Sequence, residues 1–368
     1  SFVQVVEGFR GGNALVELDL SREESPSGGE KSAAVPRAKE AVWSECIGKK
    51  PIDPFGGEPL LRVSLAKAAE DVHVFGFSIH HVVYDGRSLE LILNEIGAMY
   101  RIAAKRVEEI EREMGPIESD LSGSTASALL LPIGVFASPS SSTPAAKESQ
   151  QPNLPILPIQ YGDYAEWQRK WLKESEEAKK QMEFWKGQLS GDVQPLSVPT
   201  DHARPAVLGH DGGKVEVHLS KECVAGLKEV GRECGGATLF ATLLSIYGLM
   251  LSRLGRQEDL FIGIPYHGRT RPEVEWLIGY FVKILPVRVT VKEGDTLKAL
   301  VGRVRETTLS CMANSDIPLP YILRQVDPRA AAALRDPSRS SPIFQAFFTL
   351  QTFAAQVALE GVESETFA

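Results

Sequence analysis

The chain has 368 residues, 43% of them hydrophobic and 24% charged, a globular balance long enough for one large domain or two lobes with sizeable cores. Forty Lys and Arg against 48 Asp and Glu leave a net charge of −8, which argues against a non-specific nucleic-acid surface. Cys46, Cys223, Cys234 and Cys311 lack CxxC spacing, which favours reduced thiols in an intracellular protein over a disulfide scaffold or zinc site, and no apolar run reaches membrane-spanning length.

In chain order, residues 1–8 (SFVQVVEG) read as a strand entered midway, with neither an initiator Met nor a targeting segment, so the chain reads as truncated at this end. Residues 20–35 are polar and turn-rich, a surface loop, and 37–47 form a short helix. Residues 72–79 (VHVFGFSI) alternate and are β-rich, a core strand. Residues 87–100 put Leu89, Ile92, Leu93, Ile96 and Tyr100 on one helical face. From about 106 to 158 the composition shifts to a charged helical run and then to low-complexity Ser, Pro, Thr and Ala. That stretch reads as an insert whose apolar patch at 128–136 is too short to span a bilayer. After Tyr161 a helical stretch carries Tyr164, Trp167, Trp171, Phe184 and Trp185, aromatic residues expected to cover a sheet face, and 195–205 is a Pro-punctuated crossover with His202 on the surface. The second half restarts an α/β pattern: strand 213–219, helix 222–234, buried helix 238–251 and strand 259–264, followed by the loop that holds His267 and Arg269.

The chemistry concentrates in Ser78-Ile79-His80-His81-Val82-Val83-Tyr84-Asp85-Gly86, which joins the strand at 72–79 to the helix at 87–100. Neighbouring residues at a strand end point to opposite faces, so only one of the two histidines faces a cleft. Imidazole titrates near neutrality and can take a proton from an amine or hydroxyl nucleophile. Asp85 either holds the loop backbone or pairs with a distant cation. The blander alternatives are a buried structural pair or half of a metal site. The metal reading is the weaker, because the following helix has no second histidine at ligand spacing and no Cys lies nearby.

His80 to Gly86, HHVVYDG, resembles the HHxxxDG signature of condensation domains of non-ribosomal peptide synthetases. Pro51 to Arg62 resembles that family's PFDLxxGPLLR approach to the motif strand, and Tyr161 to Gln168 (YGDYAEWQ) its YxDYAxWQ motif. In the family's order follow Ile278 to Arg288 (IGYFVKILPVR), Asn314 to Pro320 (NSDIPLP, similar to HxDxPFE) and Arg335 to Gln345 (RDPSRSSPIFQ). Residues 195–205 resemble a PTDRPRP segment, and Ile264 to Arg269 is similar to GxPxxGR.

The resemblance implies an α/β, chloramphenicol-acetyltransferase-like fold: two lobes in a pseudo-dimeric V with the active site between them. The N-terminal lobe would cover 1–194 and carry the insert at about 106–158, and a truncated C-terminal lobe would cover 195–368. It implies an acyltransferase that joins a carrier-bound acyl or peptidyl thioester to a carrier-bound aminoacyl amine. His81 would be catalytic, with His80, Asp85, Gly86 and Arg269 as structural residues of the site. Arg269 would pair with Asp85, and the Gly86 amide would lie near an oxyanion. No metal or nucleotide cofactor is implied to bind directly. Phosphopantetheine arrives on upstream and downstream peptidyl carrier domains, beside an adjacent adenylation domain, in a cytoplasmic setting without nucleic-acid or membrane partners. Two rivals remain: an epimerisation domain, which shares the fold and motif, and a non-catalytic relative that recruits a carrier or an enzyme, against which the intact HHxxxDG argues. The chain departs from the family pattern at Lys283, usually Asn, and at Asn314, usually His, and it stops before the final strands expected of the second lobe.

Overall fold

A computed structural model of the chain describes residues 15–20, 34–48, 51–69, 71–114, 154–202, 205, 207, 212–327, 343–351, 359 and 361–364. The expected strand at 1–8, most of the 20–35 loop, the low-complexity part of the insert and residues 335–342 lie outside the described residues.

The described elements form two compact units, residues 1–87 with 157–353 and residues 88–156 with 354–368. The larger unit holds two three-stranded sheets. In the first, β1 (Leu15–Asp19) runs parallel to β2 (Leu61–Lys67), and β2 pairs antiparallel with β3 (His73–Ile79) in the register Leu61 to Ile79 through Lys67 to His73. Helix α1 (Ala34–Trp43), extended by a π turn at Ser44–Gly48, lies against β2 and β3, and Gly76 lets the Val42 side chain approach the strand more closely than any Cβ would.

Helix α2 (Gly86–Met114) continues through the charged run RVEEIEREM, so the solvated helical extension read from the sequence is one long helix. It forms most of the described part of the smaller unit. No described helix is long and apolar enough to cross a membrane.

The second sheet forms around β4 (Asp259–Tyr266), which pairs antiparallel with β5 (Lys283–Thr290) and parallel with the short β6 (Ala346–Phe347). Its apolar strands and flanking helices follow from sequence pattern. β4 is buried from Leu260 through Ile264, and on β5 the inward residues Leu285, Val287 and Val289 alternate with Pro286 and Arg288. Helix α6 (Leu239–Gly255) is apolar on nearly every side and packs between that sheet and its helical neighbours. Thr238 caps its first turn, and at Gly248 an added Cβ would come within 2.7 Å of Val289. Helices α5 (Lys221–Glu233), α7 (Leu297–Ala313) and α8 (Leu319–Val326) complete the layer.

Helices α3 (Tyr161–Glu174) and α4 (Glu176–Gln188) connect this sheet to the residues that follow the insert. Met182 and Trp185 of α4 enter the core of the second sheet beside Leu244, Ile262 and Leu285. The indole N–H of Trp185, wholly buried, donates to the Asn314 carbonyl at 2.7 Å. That contact uses backbone at position 314, while the Asn314 side chain donates to the Ser310 carbonyl at 2.9 Å, so an Asn is accommodated there without loss of the tie to α4. Tyr164 is buried as well, and Trp167, Trp171 and Phe184 are half-buried at the core margins.

One expected strand is absent as such. Residues 213–219 form no strand and belong to no ladder among the described residues, and Val215 and Val217 are 90% and 77% exposed. The alternation of Val215, Val217 and Leu219 with Lys214, Glu216 and His218 is a strand pattern. A strand, however, is defined by hydrogen bonds to a neighbour, which no sequence period supplies.

Candidate active site

The β3 strand ends at Ile79, and the next six residues turn the chain before α2 begins. Backbone pairing of the His80 N–H with the Leu60 carbonyl at 2.9 Å holds the strand end. The His80 ring then caps a single 3-10 turn (His81–Val83), its Nδ1 accepting from the Val82 N–H at 3.1 Å. An acceptor nitrogen cannot carry the ring proton, so in its neutral form His80 is protonated on Nε2. Its role in the turn is that of a capping side chain.

His81 lies on the exposed side of the same turn. Its Nδ1 is 3.0 Å from the Tyr84 carbonyl, which can only accept; the ring therefore keeps its proton on Nδ1 and presents the Nε2 lone pair outward. The imidazole stacks on Tyr84 with ring centroids 4.8 Å apart and meets the Tyr280 ring edge-on at 5.7 Å. One carbonyl and two rings thus fix both the tautomer and the plane of a solvent-accessible base.

Asp85 takes the opposite direction, with its side chain 1% exposed. Its two carboxylate oxygens face two separate donors. Arg269 Nη2 donates to Oδ1 at 2.9 Å and the Phe281 backbone N–H to Oδ2 at 3.0 Å, contacts that bridge 184 and 196 residues of sequence. Arg269 is itself held by the Val274 and Leu277 carbonyls, each 2.8 Å from Nη1, and its guanidinium lies 4.1 Å above the Phe281 ring. The bonds made by both Asp85 oxygens and both Arg269 terminal nitrogens offset much of the desolvation cost of this buried charge pair. The loop around Arg269 is tight. His267 Nδ1 accepts from the Arg269 N–H at 3.1 Å, burial pushes the His267 pKa down, and Gly268 turns through a φ of +65° with the Phe281 carbonyl where a Cβ would stand. His267 is thereby a backbone acceptor and not a group aimed at a substrate.

Gly86 opens α2, where first-turn N–H groups have no intrahelical acceptor, and it is exposed. Tyr161 supports the opposite side of the site: its hydroxyl donates to the Tyr280 carbonyl at 2.9 Å, its ring meets Phe281 edge-on, and Gly279 leaves room for it. Burial and the nearby Asp85 carboxylate push the Tyr161 pKa up, keeping the phenol a donor. Sequence reasoning singled out His80, His81, Asp85, Gly86 and Arg269. It missed the Tyr84 carbonyl, the Tyr280 ring, the Phe281 N–H and the Tyr161 hydroxyl, although all three aromatic residues beyond the motif stand inside blocks it recognised.

The comparisons with known proteins agree with this arrangement of elements. The condensation-domain family model matches residues 30–113 and 145–368, and the chain belongs to that family, whose members transfer acyl groups in non-ribosomal peptide synthetases. A linear gramicidin synthase polypeptide of Brevibacillus parabrevis is 34% identical over 317 residues, 86% of this chain but 5% of that protein. Among solved structures, the X-domain from teicoplanin biosynthesis superposes with a TM-score of 0.64 at 22% identity over 90% of this chain and 60% of its own. The first condensation domain of the CDA synthetase does so with 0.55 at 17% identity over 94% and 62%. The fold is the chloramphenicol-acetyltransferase-like α/β fold of these domains. The chain therefore spans a small part of a long multidomain relative and about three-fifths of the structural neighbours.

Proposed function

We propose that this domain forms an amide between a carrier-bound acyl or peptidyl thioester and the amine of a carrier-bound aminoacyl thioester. The observation that carries the reading is the outward Nε2 of His81, fixed by the Tyr84 carbonyl on a turn whose base is the buried Asp85–Arg269 pair. The neutral acceptor amine attacks the thioester carbonyl, its nitrogen must lose a proton as the C–N bond forms, and in this reading His81 Nε2 receives it. The tetrahedral species then expels the donor thiolate. That thiolate takes the proton, so one C–S bond is exchanged for one C–N bond and the imidazole is returned neutral. The Gly86 N–H at the start of α2 is the candidate donor to the oxyanion. Phosphopantetheine comes with the partner carriers as part of each substrate, and neighbouring carrier and adenylation domains are the expected partners. Holding two substrates in one orientation supplies much of the rate, on the order of several kcal/mol of barrier.

The test loads separate carrier proteins with donor and acceptor, adds the domain, and follows dipeptidyl-carrier formation by mass spectrometry together with deuterium uptake at the α-carbon. Dipeptide without deuterium is expected, and His81→Ala should slow it by roughly two to four decades. Deuterium uptake without dipeptide refutes condensation in favour of epimerisation. A second reading comes from the likeness to the teicoplanin X-domain, whose structure is also known in complex with OxyB: a domain that recruits an enzyme without catalysing. A folded chain that binds a carrier and gives neither product supports that alternative.

A further inference from the structure

Lys283 opens β5 two residues beyond Phe281, the residue whose N–H holds Asp85, and faces Tyr266 across the ladder. Its stem is half-buried beside Gly268, where an added Cβ would stand 3.3 Å from Lys283 Cγ. The inward set on this sheet face is otherwise Leu285, Val287 and Val289. A cation at the head of such a row needs an anion. The carboxylate whose field reaches it, Asp316, has both oxygens engaged elsewhere, Oδ1 by the Thr270 hydroxyl at 3.0 Å and Oδ2 by the Gln181 amide at 3.0 Å. Among the described residues Lys283 makes no hydrogen bond and no ion pair, and its amine is not among the fully sealed unpartnered polar atoms, so its tip reaches solvent. A long side chain that buries its stem and keeps an unpaired ammonium at an accessible surface is arranged to meet a negative charge from outside the chain.

We propose that Lys283 is a specificity residue that pairs with a carboxylate on a carrier-bound substrate, making this domain selective for an acidic side chain. The inference rests on the condensation reading of the site, and it adds a chemical class of substrate to that reading. An Asn at this position, the residue usual in the resembling family, supplies an amide and no charge, so the selectivity belongs to the lysine. Depression of the amine pKa to about 8 by burial agrees with the isolation, and leaves most of the ammonium charged at neutral pH. A carboxylate partner raises that pKa on binding and removes the solitary charge.

The inference is tested by calorimetric titration of the full chain with glutamyl-pantetheine amide and with its glutaminyl isostere, in the natural chain and in the variants Lys283→Asn and Lys283→Arg. The glutamyl probe is expected to bind the natural chain about tenfold or more tighter than the glutaminyl one, as a charge-assisted contact implies. Lys283→Asn should bring the two affinities together and Lys283→Arg should keep part of the preference. Equal affinities in the natural chain, absence of glutamyl binding, or a preference that survives Lys283→Asn each overturn the assignment. Dipeptide formation from alanyl-loaded carriers reports separately on condensation, so the loss of one reading leaves the other measurable.

Discussion

Replacing Lys283 with Met should stabilise the protein at neutral pH, and the gain should vanish in alkali. The unfolded amine titrates near 10.5 and the folded one at about 8, because burial disfavours the cation while the Asp316 field opposes this only weakly. At about 1.36 kcal/mol for each pH unit between those values, the charged lysine costs the fold at most about 3 kcal/mol; contact of the amine tip with water brings the expected figure to about 1–3 kcal/mol. Methionine fills the stem's volume without the charge. The sign follows from proton binding. Between pH 8 and 10.5 the unfolded chain holds more protons at this site than the folded one, so the natural protein gains stability as pH rises through that window, while below 8 the full cost applies. Urea unfolding of both chains at pH 7 and at pH 10 measures the difference directly, since other groups titrate alike in each. A Lys283→Met chain that is less stable at pH 7, or a difference that does not shrink towards pH 10.5, refutes the account of a partly desolvated, unpaired ammonium.

Other perturbations address the loop itself. Asp85→Ala and Arg269→Ala should each cost about 3–5 kcal/mol, because each strands the other buried charge, and the double variant should cost far less than the sum; melting curves of the four chains give the coupling. His80→Ala removes one capping acceptor, worth about 1 kcal/mol, and should lower thermal stability modestly while leaving the Asp85–Arg269 coupling intact in the same cycle. Gly268→Ala forces a side chain into a left-handed φ against the Phe281 carbonyl and should destabilise by about 2 kcal/mol or more, visible as a lower urea midpoint.

The elements that sequence reasoning located well are those with an unbroken period. The alternation of 72–79, the apolar face of 87–100 and the apolar run at 259–264 each became the expected strand or helix, the helix running on from 100 to Met114 through the charged stretch. Residues 213–219 show the limit of the same reasoning, since their period is sound and their neighbour is not supplied by it. At the site, the two histidines and Asp85 were visible as side chains, whereas much of what orients them is backbone: the Tyr84 carbonyl, the Val82 and Phe281 N–H groups, the Val274 and Leu277 carbonyls. Every residue owns such groups, so they leave no mark in composition or spacing. The proximity of Arg269 to Asp85 likewise has no local signal and was read only through resemblance. Lys283 stood out in the sequence as an unusual letter, but its isolation depends on Thr270 and Gln181 having taken the Asp316 oxygens, which only the folded chain displays.

The long reach of Asp85 also sets an order of events on the ribosome. Its second donor, the Phe281 N–H, lies 196 residues downstream, and at roughly 5–20 residues per second the growing chain carries the aspartate for about 10–40 s before that partner is even synthesised. During this interval the carboxylate remains hydrated, because burying it alone costs more than closing the turn returns. The first sheet can pair its strands early, yet the His81 loop reaches its working geometry only after Arg269 and Phe281 have emerged. A nascent chain halted before them would present the signature residues without the two donors that hold Asp85.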